Sequence, residues 1–159
     1  MRTKIISAFP GTGKTTYHSK HSQSSLDSDS SNFSWIKDEN GNNTNQRNPE
    51  FPANYIEHIK QNIGKYEFIF VSSHKEVREA LLDNCIFFYL VYPKIDRKDE
   101  FISRFKERGS SEGFINLLDS KWEEWVQEIY WDHSLGFQKV TMVLPNLEDT
   151  INHLQRSEF

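Results

Sequence analysis

Apolar positions along the chain fall into two alternating patterns. Short continuous runs, "KIISAF" at 4–9, "EFIFV" at 67–71, "CIFFYLVYP" at 85–93 and "KVTMVLP" at 139–145, read as buried strands. The third is so uniformly apolar that it fits a central parallel strand covered on both faces. Between the runs the spacing becomes helical. Ile56, Ile59 and Ile63 recur along "NYIEHIKQNI", and Gly64 marks a stop. Val77, Ala80, Leu81 and Leu82 follow Ser72 and Ser73, either of which can cap a helix. Phe114, Leu117, Leu118, Trp122, Trp125 and Ile129 form a long stripe, read as core, and "NLEDTINHL" predicts a closing helix. "KTTYHSKHSQ" predicts a weakly apolar helix at 14–23, with a short second strand near Leu26.

Strands alternating with helices predict an α/β domain with a mostly parallel sheet flanked by helices. At 159 residues the chain suits one domain, residues 1–159. Two excursions interrupt the pattern. Residues 38–52, "DENGNNTNQRNPEFP", carry the Asn, Gly and Pro of an exposed, mobile segment. Residues 96–113 begin as a charged helix rich in arginine. The net charge of −4 gives no general attraction to nucleic acid or anionic lipid, so no genomic nucleic acid partner is expected. No run approaches a membrane span or a signal peptide, so the expectation is a soluble, cytoplasmic protein with no membrane partner. The one cysteine, Cys85, lies in an apolar run, where packing is its expected role.

"SAFPGTGKTT", residues 7–16, carries the strongest chemical signal. It matches the phosphate-loop pattern G-x-x-x-x-G-K-[ST] with Ala8 in place of the first glycine. Such a loop needs converging backbone N–H groups, small residues and a helix directly behind it. Pro10 has no N–H, so the cradle falls to Gly11, Thr12, Gly13, Lys14, Thr15 and Thr16. Lys14 is placed for the β- and γ-phosphates of ATP, and the Thr15 hydroxyl for Mg²⁺. A plain glycine turn is the bland alternative.

"FPGTGKTT" resembles the loop of adenylate-kinase-like nucleoside monophosphate kinases. The order of loop, "DSDSSNFSW", "FVSSH", "FYLVYP" and "RFKERG" is similar to the small P-loop nucleotide kinases of phages and prophages. The resemblance implies a P-loop NTPase fold of three α/β/α layers. It also implies a lid-like segment at 96–113, an acceptor-side excursion at 38–52, and a host-cell cytoplasmic setting if phage-encoded. Small-molecule nucleotides would be the partners, with ATP as donor and Mg²⁺ as cofactor.

Three stretches are candidates for the acceptor side. Asp27-Ser28-Asp29 resembles the D-x-D of shikimate kinases, which implies Asp27 steering hydrated Mg²⁺ and Asp29 binding an acceptor hydroxyl; a helix-capping run is the other reading. "FIFVSSH" ends in Ser72-Ser73-His74 where a Walker-B strand shows Asp, and His74 there is either an acceptor contact or a hydrogen-bonded loop residue. Arg97, Arg104 and Arg108 share a helical face, either as lid arginines on the transferring phosphoryl group or as a solvated face paired through Glu100. Arg47 is an acceptor-phosphate clamp or a surface arginine.

The expected activity is transfer of the ATP γ-phosphoryl group to a (deoxy)nucleoside monophosphate. The alternatives are a kinase of another hydroxylated acceptor or a polynucleotide 5′-hydroxyl, a slow nucleotide-hydrolysing module, and a degenerate loop in an interaction protein. Neither an N-K-x-D element nor a D-x-x-G switch after the third strand supports the hydrolysing module.

Overall fold

A computed structural model describes residues 1–157. The chain begins β1 (Lys4–Ala8), α1 (Lys14–Lys20), β2 (Ser25–Asp27), α2 (Ser31–Ser34), β3 (Trp35–Lys37) and β4 (Asn43–Arg47). It continues α3 (Ala53–Asn62), β5 (Phe68–Ser72), α4 (Lys75–Asp83) and β6 (Phe88–Pro93). A 3₁₀ turn (Ile95–Arg97), α5 (Lys98–Glu107), α6 (Glu112–Trp131), β7 (Phe137–Met142) and α7 (Leu147–Ser157) complete it. Five strands form one sheet in the order β2-β5-β1-β6-β7, and every pairing in it is parallel. Helices flank this sheet, an arrangement compatible with three α/β/α layers.

β1 lies at the centre, and Ile5, Ile6, Ser7 and Ala8 are all buried. β5 and β6 beside it are buried nearly throughout, as their unbroken apolar runs predict. The register pairs Ala8 with Ser72 and with Val91, and Asp27 with Phe70. The carboxyl ends of β1, β2 and β5 therefore open onto one edge, where parallel α/β sheets form their ligand crevices.

The core continues under the loop that follows β1. Phe9 meets Trp122 edge-on at 5.4 Å, and Trp122 packs on Phe101 at 5.3 Å. All three are buried, and each contributes about 1.5–3 kcal/mol of apolar burial. This cluster docks α5 and α6 against the crevice edge, and the Trp122 indole N–H donates to the Ile95 carbonyl at 2.7 Å.

The structure corrects several expectations. The 38–52 excursion, exposed as expected, is not without regular structure: it carries most of an antiparallel hairpin, β3 against β4, whose turn Asp38 holds by accepting the amides of Asn40 and Asn42. Neither Ser72 nor Ser73 caps α4; His74 occupies the N-cap and makes no side-chain cap. Ser72 instead belongs to β5. Cys85 is exposed in a turn with φ 55°, outside the core, because β6 begins three residues later. Ile63 sits just past α3 and is exposed, as is Leu117 on the outer face of α6. Among the described residues no helix is long and apolar enough to cross a membrane.

Candidate functional site

The loop from Phe9 to Gly13 links β1 to α1 and turns through two glycines with positive φ, Gly11 at 80° and Gly13 at 107°. Gly11 is also sterically required. A Cβ there would stand 2.8 Å from Cε2 of Phe105 on α5. Thr12 is fully buried; its hydroxyl donates to the Phe9 carbonyl at 2.9 Å and its own carbonyl accepts the Leu147 amide at 2.9 Å. Its side chain thus closes the loop on itself, and its carbonyl staples the loop to α7. The amides of Gly11, Gly13, Lys14, Thr15 and Thr16 donate to no other group among the described residues. The loop holds these donors at the crevice edge, open to an anion.

Lys14 folds back over the loop, its Nζ 3.1 Å from the Ala8 carbonyl. Burial lowers its pKa; Asp27 and Asp29 oppose the shift and Arg108 adds to it. Lys14 is half-buried, and a partly desolvated cation gains from an arriving polyanion. The Thr15 hydroxyl donates to Asp27 Oδ2 at 2.9 Å. This pair of hard oxygen groups, beside a lysine and open amides, fits Mg²⁺ shared with phosphates. No cluster of three metal-ligating side chains occurs among the described residues, and Mg²⁺ bound largely through phosphate and water needs none.

Asp29 is turned by its own backbone. Its Oδ1 accepts the Ser31 amide at 2.9 Å. Ser28, between the two aspartates, is buried, and its Oγ has no hydrogen-bond partner among the described residues. The buried hydroxyl of Tyr55 donates to the Ser28 carbonyl at 2.6 Å and accepts the Ser72 amide at 3.3 Å, joining the ends of β2 and β5. Ser72 Oγ shares a hydrogen bond with His74 Nδ1. His74 borders the crevice and is exposed; its partial desolvation there lowers its pKa first, with Lys14 and Arg47 adding to the shift.

The four candidate arginines separate. Arg97 is not at the crevice: it pairs with Glu100 at 2.7 Å and donates to the Met142 and Leu144 carbonyls at 3.0 Å, tying α5 to the chain beyond β7. Arg104 pairs with Glu100 at 2.6 Å, donates to the Gly11 carbonyl at 3.0 Å and also reaches the Pro145 carbonyl. Glu100 thus links both, its pairing with Arg104 being the one the sequence offers, and Arg104 braces the loop between β1 and α1. Arg108 has no ion-pair partner among the described residues and lies over the Phe105 ring, 5.0 Å from its centroid. Arg47 pairs with Glu76 at 3.4 Å and rests on Trp35 and Phe51, outside the crevice lining.

Two cavities meet across the loop and share Gly11, Gly13, Thr16 and Arg108. One, about 440 Å³, is bounded by Lys20, Arg104, Glu107, Asn146 and Glu148. The other, about 690 Å³, holds Lys14, Thr15, Asp27, Ser28, Asp29 and His74, with Phe105 and Phe114 as its apolar wall. The structure therefore gathers the loop residues, both aspartates, His74 and Arg108. Sequence reasoning missed Tyr55, Ser28 and the Asn146–Glu148 wall; the last follows a strand at its carboxyl end, which is the signal that locates it.

No protein-family model matches the chain, and no curated protein matches it with significant similarity.

Proposed function

We propose that the chain is a P-loop phosphotransferase, moving the γ-phosphoryl group of ATP to a small acceptor in the larger cavity. The observation that carries this reading is the Thr15–Asp27 contact beside Lys14 and a loop of unpaired amides, with a cavity on either side. The smaller cavity suits the donor nucleoside and the larger one the acceptor.

In this reading the amides and Lys14 hold the donor phosphates, and Arg108, between the cavities, neutralises the transferring group. Thr15 and Asp27 hold Mg²⁺, which when bound supplies further charge neutralisation. Arg104 keeps the loop in shape through the Gly11 carbonyl, and Arg97 anchors α5. Alignment of two bound reactants and exclusion of water supply the remainder.

The resemblance implies a (deoxy)nucleoside monophosphate as acceptor, converted to the diphosphate. A second reading, an acceptor hydroxyl, is favoured by one observation: the larger cavity carries two carboxylates and no cation beyond Lys14 and Arg108. Incubation with γ-labelled ATP, Mg²⁺ and a panel of acceptors tests the proposal. Labelled product that requires both Mg²⁺ and Lys14 supports it. Label released only as inorganic phosphate, whatever the acceptor, points instead to a nucleotide-hydrolysing module.

A further inference from the structure

We propose that the open edge of the main sheet, β7 with the apolar side chains flanking it, is the contact surface for a second copy of this chain, joined about a two-fold axis. The proposal does not depend on the phosphotransferase reading above.

β7 is the last strand of the sheet, and no strand pairs with its outer side among the described residues. Such an edge offers unpaired backbone groups, and proteins that leave one exposed guard it with outward charge, proline or short length. The opposite edge, β2, is only three residues long. β7 is six residues long, has no proline and carries one charge, Lys139. That charge is turned inward: its Nζ donates to the Tyr130 carbonyl at 2.6 Å and lies 5.8 Å from the centre of the Tyr130 ring. The β7 edge is therefore unguarded.

Apolar exposure concentrates at the same place. Among the described residues, five of the ten exposed large hydrophobic side chains flank β7: Ile95, Tyr130, Trp131, Leu135 and Val143. Leu135, just before the strand, is 91% exposed, and Val143, just after it, is 65% exposed. Ile95, Tyr130 and Trp131 border a groove of about 520 Å³ that reaches Thr141 on β7. The exposed parts of the five side chains come to roughly 600 Å², the upper end of what a monomer shows in one patch. With the strand edge added, the face approaches the area of about 800 Å² per partner that a standard interface buries.

The face is complementary to itself, which favours a second copy over an unrelated partner. A two-fold axis perpendicular to the sheet runs β7 antiparallel to its counterpart and keeps each sheet face continuous. Side chains opposite one another then share a face, so a residue, not a peptide bond, lies beside the axis. The longest overlaps place either Lys139 or Val140 there. Lys139 would oppose its own charge, which is destabilising. Val140 opposes itself harmlessly and sets Lys139 against Thr141 of the partner subunit. The same register carries Leu135, ahead of the strand, toward Val143 of the partner subunit, behind it. Two aliphatic side chains left exposed in one chain thus cover each other twice in the dimer. The contact would also brace the site, because Val143 lies between Met142 and Leu144, whose carbonyls hold Arg97, and just ahead of Pro145 and Asn146 in the smaller cavity wall.

Sedimentation equilibrium of the full chain at micromolar concentration should show a dimer. Leu135→Lys changes a side chain on which folding does not depend, and it should raise the dimer dissociation constant at least tenfold with the circular dichroism spectrum unchanged. Adding Val143→Glu should recover much of the loss, since each new lysine then meets a carboxylate across the axis. In a Cys85→Ser background, Val140→Cys should cross-link on mild oxidation and Gln138→Cys should not. A monomeric wild type, leaving the face to some other partner, overturns the proposal. So does a dimer that tolerates Leu135→Lys, that loses more on adding Val143→Glu, or that fails to cross-link through Val140→Cys.

Discussion

Replacing Tyr55 by Phe deletes a single buried oxygen that joins two strand ends at the crevice. The ring itself stays packed, tilted on Phe33 at 5.2 Å and stacked on Phe51 at 6.1 Å, so no sizeable cavity opens. What changes is hydrogen bonding: the Ser28 carbonyl loses a donor at 2.6 Å and the Ser72 amide an acceptor at 3.3 Å. A buried polar group left unsatisfied costs about 1–3 kcal/mol, and the longer Ser72 contact contributes less. The expected loss is about 2–3 kcal/mol, or roughly 5–10 °C in Tm for a chain of this size. Urea unfolding followed by tryptophan fluorescence measures it, with an unchanged slope indicating an intact denatured reference. Burial raises the phenol pKa above its ordinary value, so the hydroxyl remains protonated through neutral pH. The loss should therefore be the same at pH 6 and pH 9. A loss under about 0.5 kcal/mol would refute the claim that Tyr55 holds β2 and β5 together at the site.

Gly11→Ala combines a left-handed backbone, costing about 1–2 kcal/mol, with a 2.8 Å clash on Phe105 that adds about 1–3 kcal/mol. Thermal unfolding should show a marked fall, and a wild-type midpoint would mean that α5 yields freely. Lys14→Ala removes a desolvated charge, so Tm should move by no more than about 3 °C while phosphoryl transfer is abolished; normal turnover contradicts the assigned role. Arg108→Ala should lower turnover by about 10²-fold or more with little change in stability, whereas Arg97→Ala should lower Tm and leave turnover per folded molecule near wild type. Similar kinetic losses in both would show that the two arginines do not divide as described. His74 has a lowered folded-state pKa, so the unfolded chain takes up the proton first, and its contribution declines as pH falls through the ordinary histidine value of about 6.5. His74→Asn should flatten the pH dependence of urea midpoints between pH 7 and 5, and an unaltered slope excludes it as a contributor.

Much of the fold is legible in the residue pattern because the parallel strands are buried on both faces and so read as unbroken apolar runs. β2 needed less burial and left only Leu26 as a trace. The hairpin of β3 and β4 was not legible, since its pairing rests on polar contacts and an Asp38 turn within a segment whose composition reads as loop. At the site, the glycine loop and Asp27-Ser28-Asp29 announce themselves through residue types that backbone geometry restricts. The roles of the arginines did not, because spacing on a helix fixes a shared face but not which carbonyls that face meets. Arg97 and Arg104 find backbone acceptors 41 or more residues away in sequence, and only the tertiary fold brings those together. Tyr55 was hidden for the same reason: its apolar ring satisfies the helix pattern, and its oxygen acts across β2 and β5.

Equilibrium titration of Mg·ATP against the wild-type chain and Lys14→Ala, followed by calorimetry, tests most directly whether this loop grips a polyphosphate. Saturable one-to-one binding that requires Mg²⁺ and weakens at least tenfold in the variant is the predicted result. Equal binding by both chains, or none by either, contradicts it.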